Sequence, residues 1–85
     1  MNFSESSVIV LTPVFEDAAV FQILLRELQV VVPSGLYVVA VDDGSVVHPL
    51  TSQAHQEAAV AGAVVTLRRN IGHQRAISVG LRCIA

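Results

Sequence analysis

Two kinds of segment alternate along the chain: short unbroken β-branched runs, and longer stretches in which apolar residues recur every three or four positions. Val8-Ile9-Val10-Leu11 is a run of the first kind, the pattern of a strand covered on both faces, as the parallel sheets of α/β proteins require. Pro13 is expected to end it, because proline cannot donate to a ladder. Glu16 and Asp17 then stand where a helix begins, and carboxylates there complement the positive end of the helix dipole. Phe21, Leu24, Leu25 and Leu28 fall on one helical face, with Gln22, Arg26 and Gln29 on the other. Pro33-Ser34-Gly35 closes this helix with a turn.

Leu36 to Val41 is the second apolar run, and it stops abruptly at Asp42-Asp43-Gly44-Ser45. Residues 49–61 read as a weaker helix with Leu50, Ala54, Ala58 and Ala61 inward, and Gly62 as its C-terminal stop. Ala63 to Leu67 makes a third strand. From Gly72 onward Ala76, Ile77, Gly80, Leu81 and Ile84 recur at helical spacing, while Arg75, Ser78 and Arg82 face outward. The order β-α-β-α-β-α predicts an α/β fold with a Rossmann-like, three-stranded parallel sheet and right-handed crossovers. Ligands of such sheets bind beyond the carboxyl ends of the strands, which singles out residues 12–17, 42–46 and 68–74.

Composition narrows the class. Of the 85 residues 53% are hydrophobic and 14% charged, which suits a buried core and not a disordered segment. One small domain is the most that this length accommodates, and its independent stability would be marginal. The net charge of −2 excludes a nucleic-acid binder by charge. Four of the five basic residues, Arg68, Arg69, Arg75 and Arg82, nevertheless crowd into the last stretch, where they either serve a phosphate-bearing ligand or are simply solvated. Cys83 is the single cysteine, so no internal disulfide forms, and it reads as a packing residue. No apolar run approaches the ~18 residues of a membrane-spanning helix, and no secretory signal is evident at the start. The expected location is cytoplasmic.

The candidate chemistry centres on Asp42 and Asp43. Two adjacent carboxylates at the end of a buried strand are costly to desolvate unless a cation or hydrogen-bond donors meet them. One reading has an aspartate accept from a nucleobase edge or a ribose hydroxyl; the other has it cap the following turn. The expectation is one of each, Asp43 toward ligand and Asp42 toward structure. A dinucleotide site would need a glycine-rich turn after the first strand, and residues 11–17 contain no glycine, so a Rossmann oxidoreductase is disfavoured. Pro13 and Phe15 offer instead a stiff ledge and an aromatic face for a flat base, unless Phe15 merely packs on the first helix. His73 and Gln74 open the last helix, where free N–H groups favour an anion or the histidine only caps. His48 and His55 read as surface residues, seven apart and so unlike an i, i+4 metal pair.

Three stretches together, Val-Ile-Val-Leu-Thr-Pro-Val-Phe-Glu-Asp (8–17), Val-Val-Ala-Val-Asp-Asp-Gly-Ser (38–45) and Leu-Arg-Arg-Asn-Ile-Gly-His-Gln-Arg-Ala-Ile (67–77), resemble the opening of family 2 glycosyltransferases of the GT-A type. Members similar to dolichol-phosphate-mannose synthase are nearest in flavour. The resemblance implies that Pro13, Phe15 and Asp17 border the nucleotide. It further implies that Asp43, with Asp42 beside it, contacts base or ribose, and that Arg69, Asn70 and Gly72 line the same cleft. Family members usually carry Tyr-Asn-Glu where this chain has Phe15-Glu16-Asp17.

By the same resemblance the partner is a UDP- or GDP-sugar, and the parent enzyme transfers its sugar to a lipid phosphate or saccharide acceptor. Charge compensation on the leaving phosphate would come from a divalent cation, Mg²⁺ or Mn²⁺, held by an Asp-x-Asp motif on a following strand. Neither that motif nor a catalytic base is found among the 85 residues. The expectation is thus a single partial domain, 1–85, the N-terminal nucleotide-binding half of a larger enzyme and inactive alone. The first strand would then be an open hydrophobic edge. The alternatives are a non-catalytic nucleotide-binding module, or a receiver-type module with a phosphorylatable aspartate.

Overall fold

A computed structural model describes residues 8–84. Its elements run β1 (Val8–Val14), α1 (Ala18–Val31), β2 (Leu36–Asp42), α2 (Gln53–Ala58), β3 (Ala61–Thr66) and α3 (His73–Ile84). The three strands form one parallel sheet in the order β1-β2-β3, with Val8 opposite Leu36 and Tyr37 opposite Ala61. The predicted α/β class and alternation are therefore present. β2 is central and buried over its whole length, which accounts for its unbroken apolar run: both of its faces are covered.

The two faces are separated by the period of two. Val38 and Ala40 of β2 cluster with Phe21 and Leu25 of α1 and with Ala58 of α2. Leu11 and Val41, of the opposite parity, lie against Gly80 of α3. So α1 and α2 cover one face, while α3 returns over β1 and β2 on the other. A Cβ on Gly80 would come within 2.5 Å of Leu11 and 2.8 Å of Val41, so glycine at this position lets α3 lie close to the sheet.

Several boundaries differ from expectation. β1 runs through Pro13 to Val14 instead of stopping at Leu11. The reason lies in the ladder. Val8 N–H donates to Gly35 O at 3.0 Å, and Val14 O accepts from Asp43 N–H at 2.7 Å, so even-numbered residues of β1 bond to β2 and odd-numbered ones point to the free side. Pro13 is odd, and its missing N–H costs no bond. α2 is shorter than the predicted 49–61, because the chain leaves the helix at Ala59 in the left-handed conformation (φ 55°). Gly62, expected as the stop, is inside β3. A Cβ there would meet Val38 O at 2.0 Å and the His55 ring at 2.6 Å. His55 is accordingly buried, not a surface residue: its Nε2 lies 2.8 Å from Val38 O and its ring 5.5 Å from that of Phe21. On α3 the buried positions are Ala76 and Gly80, whereas Leu81, expected inward, is 55% exposed and Cys83, expected to pack, is also exposed.

Candidate functional site

The carboxyl ends of the strands gather the three loops that the sequence singled out. Each is tied to another by hydrogen bonds from backbone amides to side-chain oxygens, so the loops form one braced rim.

Asp42 is the last residue of β2 and Asp43 follows it, both with no exposed surface. Successive strand residues point to opposite faces, and the two carboxylates accordingly serve different loops. Asp42 turns to the segment that follows it. Its Oδ1 accepts from Ser45 N–H at 3.1 Å and its Oδ2 from Leu50 N–H at 2.8 Å, while its carbonyl accepts from Leu67 N–H at 2.9 Å. Asp43 turns to the third loop. Its Oδ1 accepts from Ile71 N–H at 2.8 Å, and its Oδ2 from Gly72 N–H at 3.0 Å and from Asn70 Nδ2 at 3.1 Å. Asn70 Nδ2 also donates to the Asp43 carbonyl at 3.2 Å. The donors that a buried carboxylate requires are thus supplied by the chain itself. The loops approach so closely that a Cβ on Gly44 (φ 78°) would lie 2.3 Å from Arg69 C and from Asn70 N.

Glu16 forms the third tie; it was expected at the start of α1 as a partner of the helix dipole, but it precedes the Asp17 cap and turns to another loop instead. It takes a left-handed backbone (φ 51°), unusual for a residue that is not glycine, asparagine or aspartate. Its N–H donates to Ser45 Oγ at 2.8 Å. Its carboxylate receives Val46 N–H at 3.0 Å, Val47 N–H at 3.1 Å and His48 N–H at 2.8 Å. These donors hold its pKa below the ordinary carboxylate value, because they favour the charged form. A local reading of residues 15–17 shows none of this, since the partners lie some thirty positions downstream. Ser45, the other half of the tie, was visible only as the last letter of Asp-Asp-Gly-Ser.

Beside the rim, at the end of β1, lies a cleft of ≈ 150 Å³. Pro13, Phe15, Asp17, Val20, Leu24 and His73 are among its walls. Phe15 is 42% exposed and Asp17 is exposed. The structure therefore sorts the predicted site residues into two groups. Pro13, Phe15 and Asp17 share a cleft with His73 at the start of α3. Asp43, Asn70 and Gly72 share a hydrogen-bonded knot, with Asp42 behind it and the Arg69 backbone against Gly44. The Asp43 carboxylate is not a wall of the cleft.

No family model, curated protein or solved structure matches this chain. The chemistry of the rim must therefore be argued from its own geometry. It offers an aromatic face, one exposed carboxylate and the first turn of a helix around a shared cleft. Among the described residues no group of three or more His, Cys, Asp or Glu is placed to hold a metal ion, and no helix is long and apolar enough to cross a membrane.

Proposed function

We propose that the chain is the nucleotide-recognising part of a family 2 glycosyltransferase of the GT-A type, and that it takes the nucleoside of a UDP- or GDP-sugar. The observation that supports this reading is the convergence of the three motif-bearing loops on one rim, beside a cleft walled by Pro13, Phe15 and Asp17. Phe15 supplies the stacking face for the base, with Pro13 as a stiff ledge. Asp17, exposed at the start of α1, accepts from a ribose hydroxyl or a base N–H. Asp43 works indirectly in this reading, holding the Arg-Asn-x-Gly loop and the start of α3 in place.

The divalent cation that the resemblance implies has no seat at Asp42 and Asp43, since both residues are fully buried and their oxygens are taken up by backbone amides and the Asn70 side chain. Its ligands, the acceptor site and the base that deprotonates the acceptor are assigned to residues beyond these 85. A receiver-type reading needs an accessible aspartate at the strand end, and both are fully buried.

UDP and GDP should be titrated into the labelled protein, with and without Mn²⁺ or Mg²⁺, while backbone amide resonances are followed. Shifts centred on Phe15, Asp17 and His73 are expected. Phe15→Ala should weaken binding about tenfold, in line with the ~1–3 kcal/mol of a base stacked on an aromatic ring. Absence of binding by either nucleotide, or shifts centred on α2, would refute the proposal.

A further inference from the structure

Phe15 and Asp17 are walls of the cleft, and Glu16 between them is not. Its backbone is left-handed (φ 51°), a conformation that a Cβ disfavours and that persists only where the surroundings enforce it. Here both ends of the residue are held. The Glu16 N–H donates to Ser45 Oγ, and the carboxylate accepts from the amides of Val46, Val47 and His48. That loop is anchored in turn, through the amides of Ser45 and Leu50, on the fully buried Asp42. A chain of hydrogen bonds thus leads from the core to the turn between β1 and α1.

The start of α1 carries a second sign of the same constraint. Asp17 occupies the N-cap position, for which aspartate is among the preferred residues, yet its side chain makes no capping hydrogen bond. Its ψ of 43° lies outside the β region that a capping residue adopts. The carboxylate is therefore not spent on the helix amides, and Asp17 stays exposed beside Phe15.

We infer that Glu16 is a positioning residue: its tie to residues 45–48 sets the turn at which Phe15 and Asp17 are presented together to the cleft, in place of the cap that Asp17 would otherwise form. The inference rests on the cleft being the nucleoside site. It gives residues 45–48, none of which is a wall of that cleft, a share in binding. A site that is only partly populated in its competent arrangement binds in proportion to that population, and the tie keeps the population high. The coupling is reciprocal, so a ligand in the cleft tightens the tie by the same factor.

Glu16→Gly tests this, since glycine accepts the left-handed backbone and only the side chain is lost. The circular dichroism spectrum should be unchanged, while order parameters of the amides of residues 15–17 fall from the ~0.85 of a rigid backbone to below ~0.6. UDP or GDP, whichever the wild type takes, should bind about tenfold more weakly, as expected when the competent arrangement drops to roughly a tenth of the population. Saturating nucleotide should slow exchange of the Val46, Val47 and His48 amides in the wild type. In a Phe15→Ala background Glu16→Gly should cost only about threefold, the part that acts through Asp17, because residues acting through one another are not additive. Glu16→Asn, which tolerates the same φ and falls one methylene short of the tie, takes the place of glycine if that variant does not fold. Residues 15–17 as rigid as in the wild type in whichever variant folds, or an equal loss of affinity in the two backgrounds, would overturn the inference. Failure of the wild type to bind either nucleotide refutes the nucleoside reading, and the order parameters then still decide whether Glu16 sets the turn.

Discussion

Asp43 offers the sharpest separation between a ligand-binding and a supporting role. In Asp43→Ala the N–H groups of Ile71 and Gly72 and the Asn70 amide lose the acceptors they hold at 2.8, 3.0 and 3.1 Å. Hydrogen bonds to a charged partner are worth about 1.5–3 kcal/mol each. Against their sum stands the desolvation of a carboxylate with no exposed surface, several kcal/mol in effect, which the substitution relieves. What remains is the cost of unpaired donors in a partly buried loop, about 1–3 kcal/mol apiece and eased wherever water enters. The net destabilisation should therefore be about 3 kcal/mol. For a domain of this size that lowers Tm by roughly 12–24 °C, at ~4–8 °C per kcal/mol. Asp43→Asn keeps one acceptor but turns an NH₂ toward a donor, and should fall between wild type and alanine. Urea unfolding read by circular dichroism measures the loss, and hydrogen exchange locates it: protection at Ile71 and Gly72 should collapse first. If Asp43→Ala stays within about 0.5 kcal/mol of wild type, or those two amides remain protected, the carboxylate is not the anchor of the third loop.

The remaining predictions concern two glycines and the Glu16 tie. Gly62→Ala should cost about 3 kcal/mol or more, because a Cβ meets the backbone oxygen of Val38 at 2.0 Å; Gly72→Ala has φ of 90° but open space around it, so it should cost only the ~1–2 kcal/mol of a left-handed residue. Comparing the two by urea unfolding tests whether packing or backbone conformation dominates, and equal losses would reject the distinction. The Glu16 carboxyl titrates below its reference of 4.5 in the folded chain, so its contribution is complete above that pH and disappears as pH falls through the lowered folded value. Amides of Val46, Val47 and His48 should lose protection in that window, and Glu16→Gln should show the same loss at neutral pH. Continued protection of all three in Glu16→Gln would remove Glu16 from the brace.

The element order was readable because each strand announced itself by a β-branched run and α1 by an apolar stripe of the right period. Boundaries were less readable wherever a tertiary contact overrode a local signal. Gly62 has the look of a helix stop, but the approach of His55 and Val38 requires a glycine inside the strand, and Ala59 takes the left-handed position instead. His55 looked like surface because its short helix has little apolar character, and its burial depends on Phe21 of another element. On α3 the period and most of the face were right, Leu81 being the inward residue that the structure exposes. Small residues, Ala76 and Gly80, make the contact, and counting large apolar side chains pulls Leu81 inward wrongly. At the rim, Asp42 as a turn-holding residue was visible from Asx chemistry. The engagement of Asp43 by the third loop was not, because its donors are main-chain groups that any residue could supply.

The central position of β2 has a consequence for how the molecule comes apart. Its end carries two buried carboxyl groups, and each accepts hydrogen bonds from amides of a different stretch of chain, one shortly downstream and one some thirty residues away. Cleavage between β3 and α3 would therefore release more than a helix. Once residues 70–72 drifted off, the buried Asp43 side chain would be left without its donors, and the strand that both neighbours depend on would be drawn toward solvent. The segment after β3 thus behaves as a keystone for the middle, and limited proteolysis there should end in unfolding of the whole sheet without a stable trimmed core.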